Sequence, residues 1–241
     1  MEAKLSRELT ILPSLCDWEV KLSIPDLFAL FMDVATLHAE ALGVGEAALE
    51  ERGMCWITVK TKARICRRPR MMEQVTLSTR PLLPEKVRAI REYRMEQNGE
   101  LLAEGKTEWA VIDAATGRPR ATAGVFPAEL ELATEPSYPE PFARLDPDFS
   151  DAEQIGAYRV RSTDIDLLGH MNNIAYLRAF FGLLSVEEQK TMPKGGVEII
   201  FRMPCFEGDL LTVRRRVTET GWELAALRED GKPAVFLKLD K

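Results

Sequence analysis

Histidine and paired cysteine, two common sources of reactive or metal-binding side chains, are scarce in this sequence. The 241 residues contain two histidines, His38 and His170, and four cysteines that form no C-x-x-C pair. Scattered cysteines do not match the pattern of a structural zinc site, and they suggest reduced thiols rather than disulfides. Any histidine chemistry must therefore use one of two positions.

A net positive charge and long apolar runs are also lacking. The 38 acidic residues outnumber the 32 lysines and arginines, and the net charge of −6 argues against nucleic acid as a partner. No apolar run reaches the roughly 18 residues of a membrane span, so we expect none. The start MEAKLSREL has no signal-peptide pattern, and we expect a cytoplasmic protein.

The first half has the pattern of one long helix followed by antiparallel strands. Apolar residues recur at three- and four-residue steps over 25–43, with Pro25 suited to the first turn and Gly43 to the C-terminal cap. Four strand-like segments follow: WITVKTKARI, QVTLSTRP, VRAIREYRMEQ and LLAEGKTEWAVID. Asn98-Gly99 predicts the hairpin turn between the last two.

A proline-rich segment separates the two halves. Five prolines occur between Pro127 and Pro147, and the apolar periodicity is lost there. Proline fixes φ and removes a hydrogen-bond donor. We therefore predict a linker or extended strap over 127–157.

After this segment, the opening pattern starts again. A shift of 140 positions places 20–37 over 160–177 without a gap, with five identical and five similar pairs among 18 positions. Strand-like segments follow in the same order, with Asp230-Gly231 in the place of Asn98-Gly99. We predict two copies of one helix-and-sheet unit, at 1–126 and 158–241.

This alignment suggests different tasks for the two copies. It places His170 opposite Leu30 and Asp166 opposite Asp26, so only the second copy carries a histidine. The first copy reads DLFALFMDV, which is apolar, and the second reads DLLGHMNNI, which is polar. We interpret the first copy as holding an apolar group and the second as the place of chemistry.

The segment 163–176, TDIDLLGHMNNIAY, contains the candidate reactive groups. Gly169 and His170 are expected at or just before a helix start, where unpaired N–H groups and the helix dipole favour an oxyanion. Asp166 lies in the preceding turn and can point at the same place as a base or nucleophile. Taken alone, an aspartate here is more often a helix cap.

The same segment supplies candidate polar contacts. Asn172 and Asn173 are predicted in the first helical turn, where their amides can hold a water or fix the carboxylate. Tyr176 lies one turn after Asn172 and can pack on it. Asparagine near a helix start is also most often a cap.

TDIDLLGHMNNIAYL resembles the D-x-D-x-x-x-H-x-N-N-x-x-Y signature of the plant and bacterial acyl-ACP thioesterases. The segments ATLHAEALGVG, MCWITVKTKARI and WAVID resemble the same family, and the likeness runs from about Leu12 to Leu239. It implies an α+β tandem hotdog fold, in which a long helix is wrapped by a curved antiparallel sheet twice in one chain. It also implies hydrolysis of fatty acyl-ACP to free fatty acid and acyl carrier protein, which ends fatty acid synthesis.

The resemblance implies catalytic roles for Asp166 and His170. The family has an asparagine midway between them, where this chain has Leu168, so either Asn172 or Asn173 supplies the amide or turnover is altered. The mechanism implied needs neither metal nor cofactor. Water is activated by the carboxylate, and the thioester oxygen is held by N–H groups around Gly169.

The family also has a catalytic glutamate on the first strand after the helix, before a cysteine. Counting back from Cys205 reaches Ile200, which is not an acid. Glu198 lies two residues earlier, on the same strand face, and is the candidate. The Cys205 thiol is a less attractive nucleophile, because nothing near it in the sequence would lower its pKa.

Two further surfaces follow from the resemblance. The first-copy helix is expected to line an acyl channel with Leu27, Leu30, Phe31 and Val34, although core packing is the commoner use of such a stripe. The carrier protein is acidic, and we expect it to dock on Arg64, Arg67, Arg68 and Arg70, or these arginines form a solvated loop.

Two other functions remain open from the sequence. One is hydrolysis of acyl-CoA by the same fold, and the other is a non-catalytic acyl-binding protein, which the departures at Leu168 and Ile200 favour. Monomer and homodimer are both open, because a tandem chain already contains an internal pair of hotdog units.

Overall fold

The computed structural model describes residues 2–241 and divides the chain into two compact units. The first unit ends at Glu140 and the second is Pro141–Lys241, so the division falls inside the predicted linker. The first strand of the second unit already starts at Glu153, before the predicted end of the linker at 157. None of the described helices has the length and apolar character that crossing a membrane requires.

The first unit consists of one long helix, one short helix and an antiparallel sheet. The sheet order is β1-β3-β4-β5-β2, and the short β6 pairs with β5. The elements are β1 (Leu5–Thr10), α1 (Ile24–Ala41), α2 (Glu46–Glu50), β2 (Met54–Ile65), β3 (Gln74–Pro81), β4 (Arg88–Gln97), β5 (Glu100–Asp113) and β6 (Pro119–Arg120).

Helix α1 forms where the sequence predicted it. The Ser23 hydroxyl accepts a hydrogen bond from the Asp26 N–H, and Pro25 occupies the first turn. Gly43 follows the helix with φ of +69°, a left-handed conformation that glycine adopts without steric cost. The helix lies on the sheet through Phe31, whose ring stacks on Tyr93 with centroids 4.6 Å apart.

The second unit repeats this plan. Its elements are β7 (Glu153–Arg159), α3 (Asn173–Leu183), α4 (Val186–Thr191), β8 (Gly196–Phe201), β9 (Leu210–Val217), β10 (Gly221–Leu227) and β11 (Pro233–Asp240). The sheet order is β7-β9-β10-β11-β8, which is the order of the first unit: first, third, fourth, fifth and second strand. The predicted duplication is therefore confirmed at the level of topology.

The predicted register of the duplication, however, is wrong. The helix caps Ser23 and Asn172 are 149 positions apart, not 140. A 3-10 turn precedes each helix at Pro13–Leu15 and Ser162–Asp164, with the same separation. The shift of 140 compared the first turn of α1 with a loop that comes before α3. Two of its five identities, Asp26/Asp166 and Leu27/Leu167, align that helix with that loop, and a few matches of such common residues do not specify a register.

Candidate active site

The loop before α3 is a tight hairpin closed by Ile165 and Met171. The Asp166 N–H donates to the His170 carbonyl at 3.0 Å, and the Gly169 N–H donates to the Asp166 carbonyl at 3.0 Å. Gly169 has φ of +77°, as a three-residue hairpin loop with a bulge requires. The loop therefore places Asp166 and His170 side by side at its base.

The side chains of these two residues face each other. Asp166 Oδ2 lies 3.7 Å from His170 Nδ1, and both side chains are partly exposed. The other carboxylate oxygen, Oδ1, accepts the Leu168 N–H at 2.9 Å. This hydrogen bond fixes the carboxylate in one orientation, with Oδ2 directed to the histidine.

The expected role of Gly169 in an oxyanion hole needs correction. Its N–H is already donated to the Asp166 carbonyl, and α3 begins only at Asn173, so Gly169 lies in the hairpin and not at the helix end. Its contribution is the left-handed turn. The His170 N–H, by contrast, has no acceptor within the described part of the chain.

Asn172 and Asn173 lie at the start of α3, as predicted. Asn172 is the N-cap, and its side-chain oxygen accepts the Ile174 N–H at 2.8 Å. This oxygen therefore serves the helix cap, whereas the side-chain NH2 group of Asn172 takes no part in that hydrogen bond. Asn173 is the first helical residue, with a half-buried side chain.

Tyr176 is buried in the second unit. Its ring lies 5.8 Å from that of Phe201, and its hydroxyl interacts with the Cys205 thiol. Burial raises the pKa of Tyr176, as does the contact with Cys205. Burial also raises the pKa of the Cys205 thiol, which keeps it protonated and supports the interpretation of a packing residue.

The first unit contains the same hairpin, closed by Cys16 and Leu22. The Asp17 N–H donates to the Lys21 carbonyl, the Val20 N–H donates to the Asp17 carbonyl, and both bonds are 2.9 Å long. Asp17 is therefore the structural counterpart of Asp166, and Lys21 is that of His170. Sequence reasoning missed Asp17, although C-D-W-E-V-K has the same Asp-to-base spacing.

The two aspartates differ in what binds them. Asp17 Oδ2 accepts a hydrogen bond from the buried guanidinium of Arg68, which also binds Glu19. The Leu22 N–H donates to the Pro69 carbonyl, and the equivalent Met171 N–H donates to the Cys205 carbonyl. Pro69 and Cys205 therefore correspond, and the residue before Cys205, Pro204, is the backbone counterpart of Arg68. Only the second hairpin therefore leaves a carboxylate oxygen facing a histidine.

Glu198 lies on the opposite face of β8 from the one that packs on α3. Phe201 contacts Tyr176 of α3, and side chains alternate along a strand, so Glu198 and Ile200 point to the other side. The buried Glu198 carboxylate accepts the Ala143 N–H at 2.7 Å. The structure thus ties it to the proline-rich segment and does not bring it to Asp166.

The predicted channel and docking residues are only partly accessible. Leu27, Phe31 and Val34 are buried residues of α1, and Leu30 is half-buried. Arg68 is buried in the Asp17 cluster and cannot be a docking residue. Arg64 is exposed and pairs with Glu104, and Arg67 is half-buried and pairs with Glu73. Arg70 is exposed.

Comparisons with known proteins agree with this architecture. Residues 2–127 match the acyl-ACP thioesterase N-terminal domain, and residues 149–230 match the C-terminal domain. The chain belongs to the acyl-ACP thioesterase family. It is a thioester hydrolase with a tandem hotdog fold. A search of curated proteins gave no match.

Solved thioesterases share the fold over the whole chain. An acyl-ACP thioesterase from Bacteroides thetaiotaomicron VPI-5482 is 20% identical with a TM-score of 0.90, and the match covers 99% of this chain and 97% of the other. The 12:0-ACP thioesterase from Umbellularia californica is 15% identical with a TM-score of 0.84, covering 100% and 97%. A putative oleoyl thioesterase from Lactobacillus plantarum is 20% identical with a TM-score of 0.82, covering 99% and 95%.

Proposed function

We propose that Asp166 and His170 carry out the hydrolysis in this thioesterase. The supporting observation is the 3.7 Å approach of Asp166 Oδ2 to His170 Nδ1, on a hairpin where no guanidinium of residues 2–241 neutralises the carboxylate. A carboxylate held by one backbone N–H and open at its second oxygen is suited to accept a proton from water.

In the proposed reaction, Asp166 Oδ2 takes a proton from a water molecule while the water oxygen attacks the thioester carbon. The carbonyl oxygen becomes an oxyanion, which the His170 N–H stabilises, and the imidazole orients the water or the carbonyl. Collapse of this intermediate breaks the C–S bond. The pantetheine sulfur leaves with the proton held by Asp166, and the products are a fatty acid and the free thiol of the carrier.

We propose acyl carrier protein as the carrier, with Arg70 as one of the two exposed cations, Arg64 and Arg70, of the predicted docking cluster. The enzyme acts in the cytoplasm on this proposal, as a monomer or homodimer. Leu168, which replaces an asparagine of the family signature, favours a slow enzyme or an acyl-binding protein as the second candidate. Such a protein would bind acyl thioesters and release no thiol.

The test is thiol release from a panel of acyl-ACPs of different chain lengths, each compared with the matching acyl-CoA. The proposal expects turnover that is higher with the carrier protein and is lost in Asp166→Asn. Equal rates with the two carriers would contradict the carrier assignment. Tight acyl-ACP binding without thiol release would establish the acyl-binding alternative.

A further inference from the structure

The helix-facing side of the first sheet contains an unexpectedly polar area beneath α1. Phe31 of α1 stacks on Tyr93, and a Cβ at Gly105 would lie 2.6 Å from the Phe31 ring, so the odd-numbered residues of β4 and β5 face the helix. Several of the residues on this face and their sheet neighbours are polar: Thr58, Thr61, Thr79, Arg91, Tyr93, Thr107 and Trp109.

Arg91 brings a positive charge into this layer. Its side chain is buried and donates hydrogen bonds to His38 Nδ1 at 3.0 Å and to Thr79 Oγ1 at 3.4 Å. Since Nδ1 accepts, His38 is neutral and its Nε2 donates to the Glu2 carbonyl at 3.0 Å. Within residues 2–241, no carboxylate forms an ion pair with Arg91, whereas the buried Arg68 has two.

Three further polar atoms in this layer are buried without a hydrogen-bond partner. They are Thr58 Oγ1, the Tyr93 hydroxyl and Trp109 Nε1. The Tyr93 hydroxyl is close to Thr107, Trp109 and Arg91, but it forms no hydrogen bond of good geometry with them. Buried polar groups are nearly always paired, so an unpaired hydroxyl, an indole N–H and an uncompensated cation together indicate a missing acceptor.

The geometry points to a binding site for a carboxylate carried by a ligand, formed by Arg91, Tyr93 and Trp109. One guanidinium compensates one negative charge, and its planar donors match a carboxylate, whereas a phosphate dianion would leave a buried charge unpaired. On the proposed function, on which this assignment rests, the ligand is an acyl group. The carboxylate is then a second acidic group of the acyl chain, distinct from its thioester carbonyl, because this site shares no residue with the hairpin of Asp166 and His170.

The experiment measures binding without hydrolysis. Two non-hydrolysable thioether analogues of acyl-pantetheine, equal in chain length, end in either a methyl group or a carboxylate. Their affinities are measured by calorimetry, and the Trp109 indole N–H signal is followed in ¹⁵N-tryptophan protein, with Trp109→Phe to assign it. We expect the carboxylate analogue to bind about tenfold or more tightly and to shift that signal, as a charge-assisted hydrogen bond predicts.

Arg91→Met should abolish this preference. Arg88→Met is the matched control, because Arg88 lies on the same strand but is exposed and pairs with Glu108, and its preference should remain. If Arg91→Met does not fold, the difference in affinity between the two analogues in the unaltered protein still tests the carboxylate site.

Equal affinity for the two analogues would overturn the assignment. A Trp109 shift produced equally by sulfate alone would do so too, since the site would then accept any small anion. Failure of the proposed function looks different: the carboxylate analogue would still bind preferentially, but acyl-ACP would release no thiol.

Discussion

Asp17 and Asp166 occupy the same position in two copies of one hairpin, and only Asp17 is bound by a buried arginine. In the first unit, Arg68 binds both Asp17 and Glu19, which makes the hairpin an internal ion-pair cluster. In the second unit, Asp166 faces His170 across 3.7 Å. The duplicated loop has therefore become structural in one copy and, on our proposal, reactive in the other.

The first prediction concerns stability. Asp17→Ala should lower the free energy of unfolding by about 1.5–3 kcal/mol, because a buried guanidinium loses one of its two carboxylate partners while Glu19 remains. Asp166→Ala, at the same loop position, should change it by less than about 1 kcal/mol, because its side chain is partly exposed and faces no guanidinium. Urea unfolding followed by circular dichroism measures both, and equal losses would contradict the contrast.

The second prediction separates Glu198 from catalysis. Glu198→Gln retains an acceptor for the Ala143 N–H, so kcat should change by a factor of a few, far from the roughly 10²–10⁴-fold loss expected on removing a general base. Glu198→Leu removes the acceptor and should cost about 1–3 kcal/mol of stability. A kcat for Glu198→Gln as low as that of Asp166→Asn would place Glu198 in the reaction.

The third prediction concerns pH. Burial lowers the pKa of His38, opposed by the hydrogen bond to the Glu2 carbonyl and reinforced by Arg91. The unfolded chain then binds a proton more readily than the folded one, so stability is lost as the pH falls below about 6.5, by at most about 1.4 kcal/mol per pH unit. In His38→Asn this loss of stability at low pH should disappear, and thermal unfolding measured across the same pH range tests it.

The chain offers a matched control for this titration. His170 is the other histidine, and it is partly exposed. His170→Asn should therefore keep the pH dependence that His38→Asn removes. The reverse result would assign the dependence to the second unit.

The fourth prediction concerns the carrier. Arg70→Glu should raise KM for acyl-ACP several-fold at low salt, and the difference should fade as salt screens the charges. Arg118→Glu, another exposed position in the first unit, is the charge-matched control and should have little effect. A KM that is unchanged in Arg70→Glu would exclude docking at this arginine.

Most strands could be predicted because their cues are local. The alternation in β2 to β5 and in β8 to β11 is visible in the sequence, and Asn98-Gly99 forms the expected turn with φ of 49° and 82°. The first strand of each unit was missed. Both β1 and β7 are short and largely exposed, so they lack the buried alternation on which such a prediction depends.

The site could be predicted only in part, for a different reason. Asp166 and His170 are close in sequence and share one hairpin, so spacing was sufficient to pair them. The Asp17–Arg68 pair joins residues 51 positions apart, and no local pattern predicts it. The face of Glu198 depends on the register of β8 against α3, which is a tertiary property.

The most direct test compares kcat for three variants on one acyl-ACP: Asp166→Asn, His170→Ala and Asp17→Asn. We predict that the first two lose at least about 10²-fold while remaining folded, and that Asp17→Asn keeps near-normal turnover at a temperature where it is folded. Near-normal turnover in Asp166→Asn, or an equal loss in Asp17→Asn, would contradict the assignment of chemistry to the second hairpin.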